Sequence, residues 1–181
     1  MIKRILHYFI RTFEARYDYD SSYLHEILDS AGPVAFWKFV RVQGLSEHCH
    51  DLPREAWYAA RLEAMAQEDC GPCTQLTIRM AEEAGISGTV LAAVIGRDDE
   101  TLAPDTRLAV QFVRASVARG PEADQLRDEV LARFGPRGLV TLAYTMTSAK
   151  LYPTLKYALG HGQSCRCLEV GGELVSRHVT H

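Results

Sequence analysis

The sequence predicts an all-α fold. Three observations carry that prediction. Apolar residues recur at helical spacing almost to the end of the chain, glycines and prolines fall where such stretches should start and stop, and only one short segment near the C-terminus alternates with a period of two. At 181 residues, 47% hydrophobic and 24% charged, the chain is long enough to bury a core and has an ordinary globular composition.

The elements follow in order. Ile2, Ile5, Leu6, Phe9, Ile10 and Phe13 fall on one face of a first helix. Lys3, Arg4 and Arg11 make that helix basic, which suits a membrane surface, although packing on a core or another subunit is the plainer reading. His7 and Arg11 interrupt its apolar run and no small-residue cleavage site follows, which argues against a signal peptide. "DYDSS" supplies turn and cap residues for a short helix over about 22–28. "DSAGP" then breaks the chain, and Pro33 suits the first turn of a third helix running through Val42.

"SEHCHDLP" is a polar connection, and Pro53 opens "PREAWYAARLEAMAQE", rich in strong helix formers. Asp69 is a candidate cap for a helix from about Cys70 to Ala84, ended by Gly85. Ser87 is a candidate cap for "SGTVLAAVIG", "GRDDETLAP" is a polar loop, and another helix lies between Pro104 and Gly120. Two more, about 122–134 and 137–160, are split by "GPRG", and Pro153 is expected to kink the second. "RCLEVGGELV" alternates around Gly171-Gly172 and suits a small hairpin.

Charge and cysteine usage narrow the function. A formal net charge of -3 gives no reason to expect nucleic acid. No apolar run approaches the ~20 residues needed to span a bilayer, so no membrane span is expected. Cys49, Cys70, Cys73, Cys165 and Cys167 are odd in number and unevenly spaced, unlike a secreted disulfide scaffold. A cytoplasmic protein with one reactive pair fits better.

That pair lies in "QEDCGPCTQLTIRM", whose CGPC is the tetrapeptide of thioredoxins. A thioredoxin fold also needs a strand before the motif and a cis-proline loop beside it. Here "AARLEAMAQED" precedes it, and the tempting "YPTL" at 152–155 sits in a helical pattern. Zinc is a second reading: C-x-x-C is half a site, which "HCH" (His48, Cys49 and His50), or His161, Cys165 and Cys167 in "HGQSCRC", could complete. Two reduced core cysteines are a third reading.

A helix-borne redox dithiol is the reading that the physics favours. Positions i and i+3 share a helix face, so the sulfurs can bond, and the helix start favours thiolate over thiol. The same face continues as Leu76, Thr77, Met80, Ala81 and Ala84, a buried stripe with room for a small substrate at its end.

The chain resembles the alkylhydroperoxidase D-like, or carboxymuconolactone decarboxylase-like, superfamily over about 53–160. The resemblance rests on a helix followed by C-x-x-C, then "AEEAGIS", a short apolar helix, "TLAPDTRLAVQFVRA" and "LVTLAYTMTSAKLYPTLKYALG". It implies an all-helical bundle that assembles as a homo-oligomer (dimer, trimer or hexamer). Residues 1–52 become an N-terminal helical extension packed on that core, and 161–181 a tail. It also implies reduction of a small peroxide or disulfide substrate by the dithiol, recharged by a thiol or protein reductant, with no cofactor and no metal. By the family's order Cys73 attacks and Cys70 resolves, whereas the helix dipole favours Cys70 as the thiolate.

The family's peroxidases carry a Glu twelve residues before the first cysteine and a His four after the second, where this chain has Tyr58 and Thr77. Such a pair relays the thiol proton. Tyr58, with a reference pKa of about 10, is a poor base, and a threonine hydroxyl is none. Glu55, Glu68 and His161 are candidate replacements, although solvated or capping roles are the plainer reading for the two carboxylates and a surface position for the histidine. The competing function is a catalytically weakened or non-enzymatic helical scaffold.

Overall fold

The computed structural model describes residues 1–68, 70–162 and 167–176. It is all-α apart from one hairpin. The order is α1 (Ile2–Tyr17), α2 (Ser22–Glu26), a π-helical turn (Ile27–Ala31), α3 (Gly32–Ser46), α4 (Arg54–Ala66), α5 (Gly71–Glu83) and α6 (Gly88–Gly96). A 3-10 turn (Asp99–Thr101), α7 (Pro104–Ala118), α8 (Ala123–Ala158), β1 (Cys167–Val170) and β2 (Glu173–Ser176) complete it.

Helix α4 is the centre. It is buried on nearly every side, with Ala56, Ala59, Ala60, Leu62 and Ala64 all at most 1% exposed. Its run of alanines lets neighbouring helices approach closely, and α5, α6, α7 and α8 all pack on it. One core cluster joins α4, the start of α5, α7 and α8; a second joins α4, α5, α6 and the hairpin. The hairpin docks on α5 through Gln75, whose amide exchanges two 2.8 Å hydrogen bonds with the Glu169 backbone. Gly171 and Gly172 both have positive φ at its two-residue turn, and Cys167 pairs with Ser176 in antiparallel register.

The N-terminal helices form a small cluster of their own, Leu6, Ile10, Leu28 and Phe36. Helix α3 packs on α8, and α1 reaches α5. The C-terminal end of α1 is tied to α5, because Arg16 and Tyr17 bind the Glu83 carboxylate and Arg79 donates to the Tyr17 and Asp18 carbonyls. Its middle is tied by a chain of side chains, Glu14–His25–His7–Asp29.

Several boundaries differ from the sequence expectation. The predicted apolar face of α1 divides: Leu6 and Ile10 are buried, whereas Ile2, Ile5 and Phe9 are more than half exposed. The stripe is wider than the surface that receives it. The helix expected over 22–28 ends at Glu26 and continues as the π-helical turn, and α3 runs four residues beyond Val42 to Ser46. Ser21 does not cap α2; its hydroxyl donates to Glu14 at 2.8 Å. Pro53 stands just outside α4, and Asp69, the expected cap of α5, lies outside the described residues. Ser87 does cap α6, accepting from the Val90 N–H.

The split at "GPRG" is sharp, since Gly135 takes φ 69° and ψ -179° within α8. Only glycine reaches that conformation at low cost. Helical dihedrals continue through Pro153, where no break occurs. Proline's fixed φ suits a helix, and the backbone forgoes a single N–H donor there.

Candidate active site

Cys70 is the N-cap residue of α5 and Cys73 lies in its first turn. Pro72, between them, occupies a position where the backbone N–H would have no intrahelical acceptor. The Cα atoms are 5.3 Å apart and the sulfurs are joined in a disulfide.

The two cysteines have different surroundings. Cys70 is fully buried in the core formed with α4, α7 and α8. Cys73, 3% exposed, also faces a cavity of about 280 Å³, whose wall does not include Cys70. Any molecule that reaches the pair from this cavity meets the Cys73 side first.

The cavity lies between the N-terminal helices and the core. Leu6, Ile10 and Phe13 of α1, Phe36 and Val40 of α3, and Ala149 and Tyr152 of α8 contribute to its wall. Helix α5 contributes Cys73, Leu76, Thr77 and Met80. Phe9 and Trp37 are both wall residues and substantially exposed, at 62% and 48%, so the opening lies between α1 and α3.

Polar groups in the wall are mostly committed. The Thr77, Thr145 and Ser148 hydroxyls each donate to a carbonyl about one turn back in their own helix. The two threonine hydroxyl hydrogens are thus spent within their own helices. Ser46 and Tyr152 hydroxyls meet at 3.3 Å. Burial pushes the Tyr19 phenol up to about 12, and the Tyr23 phenol also rises for the same first reason. Both stay neutral near physiological pH. The buried Lys156 amine behind them donates to Tyr19 at 3.3 Å, and burial lowers its pKa.

Of the expected relay positions, only Thr77 lines the cavity. Tyr58 packs in the second core cluster, edge-on to Trp57 and beside Arg54. Glu55 accepts a 2.9 Å hydrogen bond from Thr106 of α7. Glu68 pairs with Lys150 at 3.8 Å and His161 with Glu26 at 2.6 Å. These four are not part of the cavity wall.

The histidines considered for zinc are also placed elsewhere. His48 lies edge-on to Tyr144, and the His50 Nδ1 faces Arg137 at 3.1 Å. Among the described residues, no group of three or more His, Cys, Asp and Glu is gathered to hold a metal. Cys165 and the Cys167 side chain lie outside what the structure describes.

Comparison with family models, curated proteins and solved structures returned no match. The site is therefore read from its own chemistry: a buried sulfur bonded to one at a cavity wall, in a mainly apolar chamber. The addition that sequence reasoning missed is Arg61 of α4, which also lines the cavity. Its sequence signal was present. Arg61 stands four residues from both Trp57 and Met65, in line with the apolar side of a helix that is buried nearly all round.

Proposed function

We propose that this chain is a thiol–disulfide oxidoreductase with peroxidase chemistry, in which Cys73 attacks and Cys70 resolves. The observation that carries the reading is the asymmetry of the pair, with Cys73 facing the cavity and Cys70 buried behind it. This order agrees with the family resemblance and overrides the dipole preference for Cys70, because an unreachable thiolate does no chemistry.

The Cys73 thiolate attacks the terminal peroxide oxygen and the O–O bond breaks, giving a sulfenic acid and an alkoxide. Cys70 then displaces the sulfenic oxygen, closing the disulfide. The two thiol protons end on the alcohol and on water, and the two electrons come from the sulfurs. An external dithiol reopens the bond by exchange. With no glutamate and no histidine among the described residues of the cavity wall, proton transfer relies on water. Turnover is accordingly expected to fall below that of a relay-equipped site by roughly 10²–10⁴-fold, the usual worth of general acid–base help.

The test is peroxide consumption with a dithiol reductant, using tert-butyl hydroperoxide. Cys73→Ser is expected to abolish it. Cys70→Ser is expected to stop turnover while leaving a Cys73 sulfenic acid that dimedone traps. Equal rates in wild type and both variants would sink the proposal and favour the scaffold reading, for which the displaced relay positions speak. Self-association, also implied by the resemblance, is measured by sedimentation.

A further inference from the structure

Arg61 is the one charged side chain among the described residues that line the cavity. Its guanidinium lies over Trp57, 5.6 Å from the ring centroid, and donates to the Met80 sulfur at 3.9 Å. Among the described residues no carboxylate stands within ion-pair distance of it. An arginine carries five N–H donors and stays protonated. A thioether is a weak acceptor, so most of that capacity is unspent in a chamber whose hydroxyls are committed elsewhere. Burial draws its pKa below the usual arginine range, a cost that the Glu47 carboxylate, beyond ion-pair distance, offsets only in part.

The position of Arg61 relative to Cys73 is equally informative. It touches Met80, which stands seven residues beyond Cys73 on the cavity face of α5, about 10 Å along the axis at the helical rise. Between them the floor is Leu76 and Thr77, and the opposite wall is aromatic and aliphatic. A cation at one end, a sulfur at the other and apolar surface between describe the complement of an amphipathic anion.

We propose that the cavity binds a monocarboxylate with a hydrocarbon body, its carboxylate on Arg61 and its chain extending toward Cys73. Resting on the redox reading above for its reacting end, this makes the substrate class a medium-chain acid that carries a hydroperoxide about 10 Å from its carboxylate. At about 280 Å³ the chamber lies at the small end of ligand pockets, which favours medium over long chains.

Octanoate, octanol and octylammonium, titrated by calorimetry into the protein in its disulfide form, separate this from simple greasiness. No turnover occurs in that form, so binding is read apart from chemistry. Octanoate is expected to bind about tenfold or more tighter than octanol, as charge-assisted hydrogen bonds allow, and octylammonium weakest. Arg61→Met is expected to erase the octanoate advantage, and Arg61→Lys to keep part of it. Comparable affinity for octanoate and octanol in wild type, or an advantage that survives Arg61→Met, overturns the proposal. Peroxide turnover without octanoate preference refutes this inference alone. Octanoate preference without turnover supports the carboxylate site and refutes the redox reading.

Discussion

Two arginines, Arg61 and Arg114, meet helix α4 in opposite circumstances. Arg114 of α7 grips Glu63 with two parallel 3.1 Å hydrogen bonds and reaches Asp99 with two more, at 2.9 and 3.1 Å. Gln67 and Gln111 add donors to the same carboxylates. Burial alone would lower the Arg114 pKa, but the two carboxylates outweigh it and hold the group above its usual range. Arg61, two residues before Glu63, has a sulfur and an aromatic face instead. The contrast teaches that charge in a helix interior has two uses. A satisfied network ties α4 to α7, whereas Arg61, with no ion pair among the described residues, faces a cavity and gives the proposed carboxylate site its cation.

The comparison is broken most forcefully at Glu63, whose side chain is 3% exposed. Glu63→Gln is expected to cost about 3 kcal/mol, the low end of the range for breaking a buried pair, since Arg114 keeps 22% exposure. Urea denaturation measures it. The double variant Glu63→Met/Arg114→Met is expected to recover part of that loss, because Glu63 and Arg114 leave together while Asp99 keeps, among the described residues, only the Gln111 donor. A double variant as unstable as the single one would mean that Glu63 acts by shape and not by charge.

Ligand comes next in size. Octanoate at a hundred times its Kd is expected to raise wild-type stability by about 2.7 kcal/mol through linkage, and to do far less for Arg61→Met. The melting temperature with and without ligand checks this. The smallest effect is Arg61→Met without ligand, expected to stabilise the protein by about 1 kcal/mol as a cation that lacks an ion pair among the described residues is replaced by an apolar chain. A clear loss of stability would show that Arg61 holds the fold together, as Arg114 does, and would remove the contrast.

Much of the architecture was legible in the sequence. Helical spacing, proline and glycine punctuation, the Ser87 cap and the Gly171-Gly172 hairpin are local properties, set by residues within a few positions of one another. The break at "GPRG" was equally visible, because Gly135 adopts a backbone that other residues avoid. The Cys70–Cys73 pairing was legible for the same reason: C-x-x-C at a helix start needs only one turn of chain to bring the sulfurs together.

The relay was not. Tyr58, Glu55, Glu68 and His161 were candidates by their distance along the chain from Cys70 and Cys73. Yet three of them partner side chains remote in sequence, Thr106, Lys150 and Glu26, and Tyr58 joins the second core cluster. Spacing within one helix says which residues share a face, not which other helix that face will meet.

By itself, then, the sequence determined the helical elements, their principal stops and the position of the dithiol at the start of α5. Tertiary structure alone decided that Cys73 faces a cavity while Cys70 does not, and that Arg61 lines the same cavity with no carboxylate among its described wall residues. The physical reason is that dihedral preference and capping act within a turn or two of chain. A cavity with a cation in its wall exists only when α1, α3, α4, α5 and α8, brought from distant parts of the chain, enclose one shared space.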